Sequence, residues 1–191
     1  MARTGRPREF DESVAARELT RVFWEKGYHT TSIQDLVDAT GVQRNSLYGV
    51  FGNKKALLLV ALAQYRAQVT EVLERLQREA PVLPALRHFL TFPLDPSRAL
   101  NGCLLGNTTV EVSGQDEDIH AAVRDNFAAL ERALRLALER AHRSGELPPR
   151  DAATQARMLM AVQQGLQVIS RATDDPTRSA AAVDAVLDSL R

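Results

Sequence analysis

The chain has 191 residues, 45% hydrophobic and 25% charged, with 24 Lys and Arg balancing 24 Asp and Glu, and one cysteine. This is the composition of a globular protein that buries its own core; it excludes a disordered chain, and a lone cysteine excludes an internal disulfide framework. The zero net charge hides segregation: Arg3, Arg6 and Arg8 precede any acid, and the stretch between Asp38 and Glu71 holds Arg44, Lys54, Lys55 and Arg66 without one carboxylate. A local basic surface facing an anion, with an acidic remainder, fits that distribution.

The opening MARTGRPREFDE has no apolar h-region, so no targeting segment is expected and the reading is cytoplasmic. Its RTGRPR portion, with Arg6, is either an arm for A·T-rich minor grooves, where a narrow groove attracts arginine, or a solubilising tail. The longest apolar run, ALLLVALA at 56–63, is far below the roughly 20 residues that cross a bilayer, so no membrane partner is expected.

Period-two alternation is missing and helical spacing recurs, which predicts an all-α fold of about nine helices. The first carries Ala15, Leu19, Val22 and Phe23 on one face and stops at Gly27. A second, very short helix lies in TTSIQDLVDATGV, with Thr31 and Gln34 as a capping box, Ile33, Leu36 and Val37 as the apolar face, and Thr40-Gly41 as the stop. A third covers about 44–51, with Leu47, Val50 and Phe51 inward and Gln43, Arg44, Asn45 and Ser46 outward. Two short helices joined by a glycine turn fit a helix-turn-helix, or any three-helix miniature core. The outward side chains favour DNA, because arginine forks onto guanine and asparagine or glutamine onto adenine.

Asn53 caps a fourth helix of about five turns on Leu58, Leu62, Tyr65, Val69, Val72 and Leu76, a connecting strut. Prolines 81, 84, 93 and 96 interrupt the chain beyond it, leaving a short helix near 84–92 and another carrying Cys103. A long helix runs from Asp116 to Gly145, and two more span about 151–172 and 177–190. Met158, Leu159, Met160, Leu166, Ile169 and a stripe at Val183, Val186, Leu187 and Leu190 are expected either at a dimer interface or in an intramolecular core. His29, His88, His120 and His142 form no i, i+4 pair, no nucleophile faces a base in any recognisable pattern, and neither a metal, a cofactor nor an enzymatic activity is expected.

FWEKGYHTTSIQDLVDATGV at 23–42 and LYGVFGNKKALLLVAL at 47–62 give residues 10–62 a close resemblance to the TetR family of bacterial transcriptional regulators. The resemblance implies that Tyr48 and Lys54 hold phosphates, with Thr31 or Ser32 doing so at the second helix, and that residues 43–46 read bases. It further implies a DNA-binding domain over 1–55, a domain over 56–191 for effector binding and dimerisation, and a homodimer on a palindromic double-stranded operator. The function expected is a repressor released by a small-molecule or electrophile effector; the alternative is an all-α carrier or redox sensor without DNA binding. Two positions depart from the family: Gln43 replaces the usual N-cap serine, and Lys55 stands where glutamate is common and adds a cation.

GCLLGNTTVEVSGQDEDI, at 102–119, resembles a narrower subgroup with a GCL motif that includes electrophile-sensing repressors. With a helix starting near Asn101, Cys103 falls in its first turn, where orphan N–H groups and the macrodipole stabilise negative charge and Arg98 adds a cation. Cys103 is therefore either a sensor or, as free cysteines commonly are, a small buried hydrophobe. Gly102 and Gly106 are expected to admit close helix packing, and the carboxylates at 116–118 to begin a solvated helix.

Overall fold

Residues 10–91, 101–172 and 176–191 are described by the computed structural model. Among them are nine α-helices and no strand: α1 Glu12–Lys26, α2 Ile33–Thr40, α3 Arg44–Phe51, α4 Lys54–Arg78, α5 Val82–Thr91, α6 Leu104–Glu111, α7 Glu117–Arg143, α8 Ala152–Ser170 and α9 Pro176–Asp188. The all-α expectation holds. The arm containing Arg6, and Arg98, lie outside the described residues.

Most helix starts are set by one side chain each. Asp11, Asp116 and Asp151 accept hydrogen bonds from the first-turn amides of α1, α7 and α8, and Asn53 accepts from Ala56 at 3.0 Å to begin α4. At 25 residues α4 makes about seven turns against the five of its apolar repeat, because Lys54–Leu57 before Leu58 and Gln77 and Arg78 after Leu76 also lie in the helix.

Two hydrophobic clusters share α4 and α7. Leu19, Phe23, Leu36 and Leu47 of the first three helices meet Leu57, Leu58 and Leu62 of α4, and this cluster continues to Cys103, Leu104, Leu105, Ile119 and Val123. The second gathers Leu73 and Leu76 from the far end of α4 with Leu86, Leu134, Leu138, Leu159 and Leu187. The strut expected at α4 thus ties the head, α1–α3, to the body, α5–α9, through leucines whose burial contributes roughly 1.5–3 kcal/mol apiece. By length and composition α4 is also apolar enough to cross a bilayer, but its apolar face packs against α1 and α7.

Leu159, Leu166 and the Val183 stripe are buried in the chain's own core, the second of the two expectations for them. Of the residues expected at an interface or in the core, Ile169 on α8 stands 49% exposed, beside Val168 at 69%. Val50 differs as well: it is 49% exposed, whereas Leu47 is fully buried. At 100° per residue Val50 lies 60° to one side of Leu47 and Phe51 only about 40° to the other, so an eight-residue helix turns Phe51 toward the core and Val50 away.

Candidate nucleic-acid interface and cleft

The turn between α1 and α2 is fixed by local chemistry. Gly27 ends α1 at φ +82°, a conformation that favours glycine, and returns its N–H to the Phe23 carbonyl. The capping box then falls on Ser32 and Asp35, one residue beyond the expected Thr31 and Gln34. Ser32 Oγ accepts from the Asp35 amide at 3.1 Å, and Asp35 Oδ2 accepts from the Ser32 amide at 2.8 Å. Thr31 is buried, its hydroxyl donating to the Gly27 carbonyl at 2.5 Å. Lys26 Nζ lies 2.5 Å from Asp35; this ion pair, with the hydrogen bonds from Ser32, holds the Asp35 carboxyl well below the usual carboxylate range.

At α3, Gln43 is the N-cap and its side chain makes no capping bond, which leaves it exposed beside Arg44 and Asn45, with Ser46 half-buried. The Arg44 guanidinium lies 5.6 Å from the centre of the Tyr48 ring, one turn away, so the two side chains brace each other on the same face. Donors and acceptors on this short exposed run match those on base edges.

Lys54 is the first residue of α4, its ammonium 4.6 Å from the centre of the Tyr28 ring. Burial lowers its pKa, while the nearby carboxylates of Glu111 and Asp35 favour the charged form. Lys55 does not add a free cation: it pairs with Asp116 at 3.2 Å and Asp118 at 2.6 Å, which also anchors the start of α7. The sequence expectation for Lys55 fails because those acids, expected in solvent, fold back onto α4.

A cleft of about 640 Å³ opens between the end of α1 and the α6–α8 side of the body, walled by Trp24, Cys103, Val110, Phe127, Gln164 and Arg171, among others. Trp24 Nε1 donates to the Gly102 carbonyl at 2.9 Å. Gly102 has φ +63°, and a Cβ there would lie 2.8 Å from Arg171 Cδ; a Cβ at Gly106 would lie 2.7 Å from Gln164 Oε1. Both glycines therefore admit α8, as expected. Because φ at Gly102 is not helical, α6 begins only at Leu104, and Cys103 is its N-cap instead of a first-turn residue. The buried sulfur accepts from the Gly106 amide at 3.5 Å, Gln164 Nε2 at 3.6 Å and the Tyr65 hydroxyl at 3.8 Å. In the same wall, Gln167 Oε1 is buried without a hydrogen-bond partner among the described residues.

Sequence reasoning missed the contact that joins the cleft to the head. Glu111, the last residue of α6, accepts from the amides of Tyr28 at 2.8 Å and His29 at 2.6 Å. Its only sequence signal was a place in the GCL stretch, while its partner Tyr28 stands 83 residues away.

The family model for bacterial regulatory proteins of the tetR family matches residues 15–61, and that for the tetracyclin repressor-like C-terminal domain matches residues 82–186. The chain belongs to the TetR family. A TetR-family chain of this kind is a DNA-binding transcriptional regulator, and its relatives agree. It is 33% identical to an uncharacterized HTH-type transcriptional regulator, YezE of Bacillus subtilis, over 97% of this chain and 99% of that one. It is 31% identical to the HTH-type transcriptional repressor ComR of Escherichia coli, covering 87% and 82%. Among solved structures, a cysteine-substituted TetR-family regulator CifR, complexed with 26-base-pair operator DNA, superposes with a TM-score of 0.85 at 26% identity, covering 97% of this chain and 100% of that one.

Proposed function

We propose that this chain is a repressor that binds a palindromic operator as a homodimer and leaves it when a small molecule or electrophile enters the cleft. The observation that carries the reading is the position of the cleft, whose walls come from α1 of the head and from α6, α7 and α8 of the body. A ligand there touches both parts and has different contacts in any two arrangements of them, which is what shifting a population requires. In this reading residues 1–55 are the DNA-binding domain and 56–191 bind effector and dimerise.

Gln43, Arg44, Asn45 and Ser46 read bases. Tyr48 and Lys54 hold phosphates, and of Thr31 and Ser32 the exposed Ser32 takes that role at the N-terminus of α2. Cys103, a residue of the cleft wall, is the group an electrophile attacks. ComR, a repressor by name, supports the direction of control.

Selection of bound genomic fragments followed by binding assays tests this. The wild type should retain a palindromic fragment with a steep salt dependence; Lys54→Ala should weaken all fragments by a similar factor and lower the salt slope by about 1, while Arg44→Ala should relax preference at particular base pairs. Salt-insensitive retention, or none, would reject the regulator reading.

A further inference from the structure

We propose that Glu111 is a positioning residue that transmits occupancy of the cleft to Lys54 on the DNA-facing side. This role rests on the reading of the cleft as an effector site.

Glu111 closes α6 and stands in the cleft wall, and each of its carboxylate oxygens accepts one amide of the α1–α2 turn, Oε2 from Tyr28 and Oε1 from His29. Two charge-assisted bonds from one rigid group fix both the distance and the orientation of that turn relative to α6. The ring of Tyr28 in turn carries the Lys54 ammonium. A line of direct contacts therefore runs from the body through Glu111 and Tyr28 to a lysine assigned to phosphate. The turn is built to admit the carboxylate: a Cβ at Gly27 would lie 2.9 Å from Glu111 Oε2.

The other end of α6 is held in the cleft. Cys103 caps it, and Gln164 of α8 donates to the Cys103 sulfur. At eight residues α6 is a rod of about 12 Å, with Gly106, Asn107 and Val110 along the cleft. A molecule seated between α6 and α8 bears on the rod's side. A displacement of about 1 Å at its tip stretches bonds of 2.6 and 2.8 Å beyond hydrogen-bonding range, freeing Tyr28 and with it Lys54.

The test is a double-mutant cycle on operator affinity. Glu111→Gln retains one acceptor but turns an NH₂ toward the second amide; it should weaken binding roughly tenfold, and less than about twofold in a Lys54→Ala background. The sign is diagnostic, because removing a negative charge near DNA would by electrostatics alone strengthen binding. Glu111→Asp, which keeps the charge but is one methylene short, should show the same loss; wild-type affinity in that variant would overturn the proposal. Thermal melts of the three single variants establish that each is folded.

A reciprocal readout uses the only cysteine. Saturating operator should slow carbamidomethylation of Cys103 by iodoacetamide roughly fivefold in the wild type and leave the Glu111→Gln rate within about twofold, since linkage acts in both directions. Wild-type binding with losses that multiply across the cycle, or equal slowing in both proteins, overturns the coupling while leaving the regulator reading intact. Failure of the wild type to retain any fragment overturns both.

Discussion

Thr31 and Ser32 show how one residue of register is decided by hydrogen bonds that the sequence does not display. Both Thr31-x-x-Gln34 and Ser32-x-x-Asp35 fit a capping pattern, but the Thr31 hydroxyl is buried on the Gly27 carbonyl, whereas Asp35 answers Ser32 reciprocally and also meets Lys26. Ser32→Ala should therefore cost about 1 kcal/mol of stability in denaturant unfolding. Asp35 supplies a pH signature. Its folded pKa lies below the ordinary 3.8, chiefly through Lys26, so its contribution is present above the unfolded value and is lost as pH falls through the lowered folded one. The melting temperature of the wild type should exceed that of Asp35→Asn by a constant margin between about pH 5 and 8, and the margin should shrink only below about pH 4. A margin that fades on approaching pH 6 would mean that another group carries the effect.

The helices were legible where one apolar stripe meets one face, as in α1 and α7, because periodicity and capping residues point the same way there. For α6 they conflict. Asn101 reads as an early start, yet Gly102 at φ +63° keeps the chain out of the helix until Leu104 and leaves a thiol to do the capping. The candidate base-reading run at 43–46 was legible because it is contiguous. Glu111 was not, because its role depends on a partner that only tertiary packing brings near. The α6 assignment has a direct consequence: Cys103→Ala removes the acceptor from the Gly106 amide and leaves Tyr65 and Gln164 without their sulfur. It should destabilise by about 1 kcal/mol in denaturant unfolding. An unchanged midpoint would reject the N-cap assignment.

At the scale of the molecule, the size of α3 argues for two copies on DNA. Eight residues span about 12 Å, or three to four base pairs, and at about 1–3 kcal/mol per mismatched pair one such helix discriminates too little against the roughly 10⁶–10⁹ competing sites of a genome. Two heads on a palindrome double the site, and the proposed dimer needs a seam outside the core. On α8, Ala161 and Val168 are exposed one heptad apart on one face, and Ala181 and Ala185 are exposed on α9. Small side chains there allow helices of a second subunit to approach closely. Ala161→Glu leaves the subunit core untouched, so the fold should stay within about 0.5 kcal/mol of wild type. Across a two-fold seam the same substitution brings two carboxylates together, and sedimentation should show monomers whose operator affinity falls at least about a hundredfold with roughly half the salt slope. A variant that stays dimeric with full affinity would place the seam on another face. A monomer that binds as tightly as wild type would remove the need for a dimer, and with it the expectation that the operator is palindromic.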